Sequence, residues 1–200
     1  MANLKKIFGA IILSIFLSGC LSIGSGPLTN SISVPLGQIN IKHKLPSGFC
    51  LDKSANSSTA YQETLVVTNC IAVRDRNNAY FSRRPVDTIV NIAFTRLAVP
   101  KEVSQKEYLS VIAGNMEFKK FLTASSNKRI VYGQKKLLKT FFHVSFQRIS
   151  PSDRREFVRK YFFFVNKKLV VMTILSFQEP RKNTYIAFEG FIKKLRSANF

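Results

Sequence analysis

Few side chains in this 200-residue sequence could make or break a bond, and their surroundings decide what each could do. There are two histidines, His43 and His143, three cysteines, Cys20, Cys50 and Cys70, and 11 acids against 31 Lys and Arg. His143 lies between Phe142 and Val144 in a strand-like run, a setting that suits a packed or exposed strand histidine better than a general base. Ser145, His143 and Asp153 can be arranged on paper as nucleophile, base and orienter, but no GxSxG elbow presents the serine. His43 sits between Lys42 and Lys44 and is expected at the surface. The acids have no spacing that suggests a glycosidase pair, and neither GxGxxG nor a P-loop occurs. With no CxxC and no paired histidines, metal binding is not expected either. The sequence thus predicts no catalytic residue, no metal ligand, no cofactor and no enzyme.

Cys20 has the most informative setting. Lys5 and Lys6 precede an apolar run over residues 7–17, broken only by Gly9 and Ser14. A spanning helix needs about 20 apolar residues, whereas the apolar stretch of a secretory leader needs about 7 to 15. The run ends in Leu17, Ser18, Gly19 and Cys20, which resembles the lipobox of bacterial lipoproteins. That resemblance implies cleavage between Gly19 and Cys20, a diacylglyceryl thioether on Cys20 and a further acyl chain, such as palmitate, on the new amino group. Each buried CH2 contributes about 0.8 kcal/mol, so two or three chains anchor a protein that one chain would hold only marginally. Leu21, rather than Asp, follows the cysteine; by the sorting rule of enteric lipoproteins this implies the outer membrane, facing the periplasm.

The remaining cysteines and the charge are read with that address. An envelope compartment permits disulfides, so Cys50 and Cys70 are expected to pair rather than to lie apart as buried thiols. Closing a loop of about twenty residues stabilises a fold by about 3 kcal/mol in the chain-entropy account. The net charge is +20, and losing the leader removes only Lys5 and Lys6. Close basic pairs recur, among them Lys135 and Lys136, Arg154 and Arg155, Lys167 and Lys168, and Lys193 and Lys194. Outside the cytoplasm nucleic acid is not the expected partner. The available polyanions are anionic lipid, lipopolysaccharide, cell-wall polymer or an acidic envelope protein, and each Lys or Arg near an anionic surface contributes about 1 kcal/mol before screening. The plain alternative is a lysine-rich solvated surface with no specific ligand.

The elements follow from periodicity. Apolar residues make up 46% of the chain and 18 are Phe, enough for one domain with a real core. Residues 20–38, rich in Gly, Ser, Pro, Thr and Asn, read as a lipidated cysteine and flexible tether holding the domain about 20 to 25 Å from the lipid. The domain itself is expected over 39–200. Pro46, Ser47 and Gly48 signal a turn before a short strand, and 64–73 and 88–97 read as strands. Ser104 and Glu107 form a capping box, with Val103 and Tyr108 placed as a staple, at the head of a helix over 105–122. Strands are expected over 129–135, 137–149, 156–165 and 169–177, the last two joined by an Asn-led tight turn at Asn166. Tyr185, Phe188, Ile192 and Leu195 share one face of a closing amphipathic helix over 183–197.

This order predicts an α+β fold, an antiparallel sheet packed with two main helices. The segments LPSGFCLD, YFFFVNKKLVVMTILSF and IAFEGFIKKLRSANF resemble the PsbP-like superfamily, the α/β/α sandwich shared by an extrinsic subunit of the oxygen-evolving complex and by Ran-binding Mog proteins. GFCLD, the segment ending in Cys70 and LRSAN are also similar to small envelope proteins of alphaproteobacteria. The resemblance spans residues 45–200, implies a binding or assembly role, and carries over no functional residue. The favoured expectation is an anchored, non-enzymatic binding or assembly factor. The alternative is a small periplasmic hydrolase or lipid-binding protein with a pocket between sheet and helices.

Overall fold

In the computed structural model, residues 29–36, 39–76, 86–98, 102–114 and 128–197 are described. Two-residue alternation builds most of the chain. After the hairpin of β1 (Ser31–Leu36) and β2 (Ile39–Lys44) come β3 (Phe49–Leu51), β4 (Ser57–Ser58), β5 (Gln62–Asn69) and β6 (Thr88–Ala98). The short helix α1 (Cys70–Arg76) lies between β5 and β6, and α2 (Gln105–Gly114) follows β6. The chain then runs through β7 (Arg129–Leu137), β8 (Phe142–Ile149), β9 (Arg155–Val165) and β10 (Lys168–Ser176) to α3 (Lys182–Ser197). One antiparallel sheet has the order β3-β5-β6-β10-β9-β8-β7, with β4 paired to β5 off that path. The fold is α+β and dominated by its sheet.

Alternation sorts the apolar residues onto two faces. Tyr161, Phe163, Val170, Met172, Ile174, Val90, Ile92 and Phe94 meet Phe188, Phe191, Ile192 and Leu195 of α3, with Ile32 and Leu45 from either side of the β1–β2 hairpin. Phe162, Phe164, Leu169 and Val171 point the other way, with Phe142, Val144 and Phe146, against Tyr108, Leu109 and Ile112 of α2. The end of β9 from Tyr161 and most of β10 are therefore buried on both sides, which is why YFFFV and LVVMTIL read as nearly unbroken apolar runs. The expected caps and turns form. Ser104 Oγ accepts the Glu107 N–H at 3.1 Å. Gly48 takes φ +83° in the turn before β3, and Asn166 and Lys167 take φ 49° and 61° in the two-residue link from β9 to β10. Two consecutive left-handed residues match the twist of a hairpin.

Four expectations change. β1 lies inside the stretch read as tether, with Ile32 fully buried; a low-complexity polar composition concealed a hairpin whose register runs from Ser31 opposite Lys44 to Leu36 opposite Ile39. The run 64–73 does not remain a strand. Asn69 Oδ1 accepts the Ile71 N–H at 3.1 Å, capping α1 and turning the chain at Cys70 despite the β-branched residues. The run 137–149 is divided by a turn in which Leu138 N–H bonds to Phe141 O at 2.8 Å, so Leu137 belongs to β7. His43 is half-buried, with its ring edge-on to Phe191 at 6.5 Å, because β2 turns that side of the hairpin toward α3. The continuation of α2 through Met116 and Leu122 lies outside the described residues, as do Gly19 and Cys20.

Candidate functional site

Among the described residues β7 is the last strand of the sheet, paired on one side only, and every residue of it except Ile130 is exposed. It carries Arg129, Lys135 and Lys136, together with the exposed apolar side chains of Val131, Tyr132 and Leu137. Its register to β8 slips between Tyr132 and Lys135, so Gly133 and Gln134 together face Ser145. Ser145 Oγ accepts the Gln134 N–H at 2.8 Å and donates to Gln134 O at 3.3 Å, fastening the bulge. A Cβ at position 133 would stand 2.8 Å from that same oxygen, so glycine is what lets the two strands close here.

Next to the bulge, a groove of about 220 Å3 opens between β7, β8, β9 and the segment leading into α3. Tyr132, Ser145, Gln147, Arg159, Glu179 and Tyr185 are among its lining residues. Arg159 supplies its cation. The guanidinium carbon stacks 3.7 Å over the Tyr185 ring, and Nη1 stands 3.8 Å from Glu189 Oε1. Tyr161 O–H donates to that same carboxylate oxygen at 3.1 Å. Burial raises the pKa of Tyr161, opposed by the hydrogen bond and charge of Arg159. Tyr185 is raised too, chiefly by burial. Both phenols are therefore neutral hydrogen-bonding groups beside a fixed positive charge.

His143 shares this side of the sheet, with its ring 5.7 Å from that of Tyr161 and 6.2 Å from that of Phe141. Its Nδ1 is buried and has no hydrogen-bond partner among the described residues. Burial lowers its pKa, and Arg159 and Lys136 add to that effect while Glu189 opposes it. A neutral imidazole against two rings is packed rather than poised. His143 is not among the residues that line the groove, Ser145 is bound to the bulge backbone, and Asp153 lies in the β8–β9 turn at the other end of the hairpin. The three residues that paper geometry could combine are thus not brought together. Among the described residues no group of three or more His, Cys, Asp and Glu is placed to hold a metal.

On the α2 side a second charged row forms. Glu156 Oε2 lies 3.1 Å from Arg148 Nε, and Glu156 Oε1 pairs with Lys128. Burial, followed by the charge of Arg148, lowers the pKa of Lys160 to about 8. Lys135 Nζ donates to Ala113 O, tying β7 to α2.

Cys50 and Cys70 are joined, with Cα atoms 4.9 Å apart and a sequence separation of 20. Cys50 lies in β3 opposite Thr68, and the Cys70 N–H bonds to Gly48 O at 2.9 Å, so the bridge clamps the short edge strand to its neighbour. Sequence reasoning found this pair and missed Arg159, Tyr161, Tyr185 and Glu189. Alternation along 155–165 puts Arg159 and Tyr161 on one face, but only tertiary packing shows that Glu189, in a chain with few acids, serves both.

No protein-family model matches the chain, and no curated protein matches it. A solved structure, the extracellular domain of PknH from Mycobacterium tuberculosis, is similar at 11% identity and TM-score 0.39, over 70% of this chain and 68% of that one. So slight a likeness carries no argument about this chain. No helix among the described residues is long and apolar enough to cross a membrane.

Proposed function

We propose that this chain is a lipid-anchored protein of the bacterial envelope, cleaved before Cys20 and acylated there, that acts as a non-enzymatic binding or assembly factor. In this reading it is held at the outer membrane, faces the periplasm, and docks anionic envelope components or an acidic protein through its basic surface. The domain would be an α/β/α sandwich of the PsbP-like kind; α2 and α3 on opposite faces of the sheet support that finer description. The Cys50–Cys70 bridge supports an oxidising compartment.

The observation that carries the binding role is the β7 edge. Among the described residues it is a long strand paired on one side only, with Arg129, Lys135 and Lys136 along it and the Arg159 groove beside it. An unpaired edge offers main-chain hydrogen bonds to an extended partner, and its cations select an acidic one. In pull-downs from solubilised envelopes, wild type is expected to retain a partner that Lys135→Glu/Lys136→Glu loses, with release as salt rises. Equal capture by both chains at every salt concentration overturns the role of this edge. The anchor is tested separately: Cys20→Ala should abolish incorporation of a palmitate analogue and leave the precursor uncut.

The groove itself favours a second reading, a small periplasmic hydrolase or lipid-binding protein. In that case Arg159→Gln, and not the change at Lys135 and Lys136, would remove binding of a small anionic ligand.

A further inference from the structure

The sheet order fixes which side of the domain lies nearest the anchor. Thr29 bridges to Leu51 of β3, and Leu45 N–H bonds to Asn30 O, so the chain joins the fold at the β3 edge. Eight residues lie between Cys20 and Thr29, nine Cα-to-Cα steps. Whatever their conformation, they reach at most about 30 to 32 Å. From β3 to β7 the sheet spans six strand spacings, about 29 Å. Turning the β7 edge toward the membrane would therefore need an almost fully stretched connection, whereas turning the β3 side toward it needs none.

That nearer side has the chemistry of an anionic surface reader. Lys42 and Lys44 are exposed on β2 and flank His43, whose ring faces Phe191; alternation therefore directs both lysines away from the core. Their cross-strand partners are the exposed Ser33 and Ser31. Lys53, also exposed, lies two residues beyond the Leu51 to which Thr29 is bridged. Across residues 29–61 the only acid is Asp52, which is buried and accepts from Ser54 Oγ at 2.6 Å. This stretch of chain thus exposes three ammonium groups and two hydroxyls, and its one carboxylate is buried.

We propose that this face, carrying Lys42, Lys44 and Lys53, lies on anionic phospholipid headgroups and leaves the β7 edge and its groove pointing away from the membrane. The orientation rests on the anchor at Cys20; the affinity of the face for lipid does not. On unacylated mature chain, binding to vesicles of mixed phosphatidylglycerol and phosphatidylcholine should fall about fivefold for each lysine lost, on the order of 100-fold for Lys42→Gln/Lys44→Gln/Lys53→Gln. Lys135→Gln/Lys136→Gln should change it less than about threefold, since that edge makes no lipid contact. Equal losses in the two variants, or a larger loss from the β7 pair, overturn the assignment.

Acylated protein placed in the same vesicles gives a measurement that needs no variant. Acetylation of Lys42, Lys44 and Lys53, read by mass spectrometry, should be slow beside that of Lys135 and Lys136, and the protection should vanish in vesicles of phosphatidylcholine alone. Uniform labelling overturns the orientation. A chain that takes up no palmitate analogue in cells refutes the anchor and leaves the affinity comparison standing, so the two failures are distinct.

Discussion

At one border of the sheet, β3 is three residues long, is clamped to β5 by Cys50–Cys70, and is overlaid by the β1–β2 hairpin and Phe188 of α3. At the other, β7 runs nine residues in the open, with lysines along it and a glycine bulge fastened by Ser145. An unpaired strand invites pairing with other chains, and proteins prevent this either by shortening and covering the strand or by charging and bending it. This domain uses one remedy at each border. Covering removes β3 as a surface and commits it to stability. Charging keeps β7 exposed yet unattractive to a second β7, since Arg129, Lys135 and Lys136 would face their own copies, while leaving it open to an acidic strand.

The contrast can be broken by mutation, and the largest effect is expected at the covered border. Phe188 is fully buried and meets Phe49 edge-on at 4.9 Å, so Phe188→Ala should cost about 3 to 5 kcal/mol in urea unfolding. A loss near 1 kcal/mol would mean that α3 does not seal β3. Cys50→Ser/Cys70→Ser should cost about 3 kcal/mol, seen as a lower midpoint for wild type under reducing conditions and no further loss for the variant. At the open border, Gly133→Ala forces a methyl against Ser145 Oγ and the Ser145 backbone and should cost about 1 to 2 kcal/mol. Adding Ser145→Ala should recover part of that loss, and strict additivity would show that the bulge is not tight.

His143 sharpens the comparison through pH. In the unfolded chain its imidazole titrates near 6.5, and in the fold it titrates lower, through burial first and then through Arg159 and Lys136 against Glu189. The folded state therefore holds fewer protons between the two values. Its contribution is intact above pH 6.5 and is lost as pH falls from there toward the folded pKa. His143→Phe, with Phe141 and Tyr161 as neighbours, should flatten the dependence of unfolding free energy on pH as pH falls below about 6.5; an unchanged slope would place the titration elsewhere. The smallest effect is expected from Lys136→Gln, within about 0.5 kcal/mol of wild-type stability, because a solvated edge charge contributes little to the fold.

How much of this was legible in the sequence depended on whether a signal was local. Tight turns and caps are local, so the Asn166 link, the Gly48 turn and the Ser104 cap emerged where expected. Strands buried on both sides are also legible, because the end of β9 and most of β10 have no polar face to confuse the pattern. β1 was hidden because Ser, Pro and Gly dominate its surroundings, although Ile32 enters the core. The end of β5 was hidden because one asparagine cap outweighs a run of β-branched neighbours. The polar cluster of Arg159, Tyr161, Tyr185 and Glu189 joins residues from a strand and a distant helix, and no spacing along the chain encodes that meeting.

The place of α3 in chain order has a consequence for biogenesis. Phe188, Phe191, Ile192 and Leu195 close a face whose strands have all been synthesised earlier, β5 and β6 among them. Until those residues emerge, Ile92, Phe94, Phe163 and Met172 lack the helix that covers them, and the nascent sheet shows an apolar face prone to aggregation. Truncation before residue 188 would therefore not trim the protein; it would leave that face permanently bare and the product destined for aggregation or proteolysis.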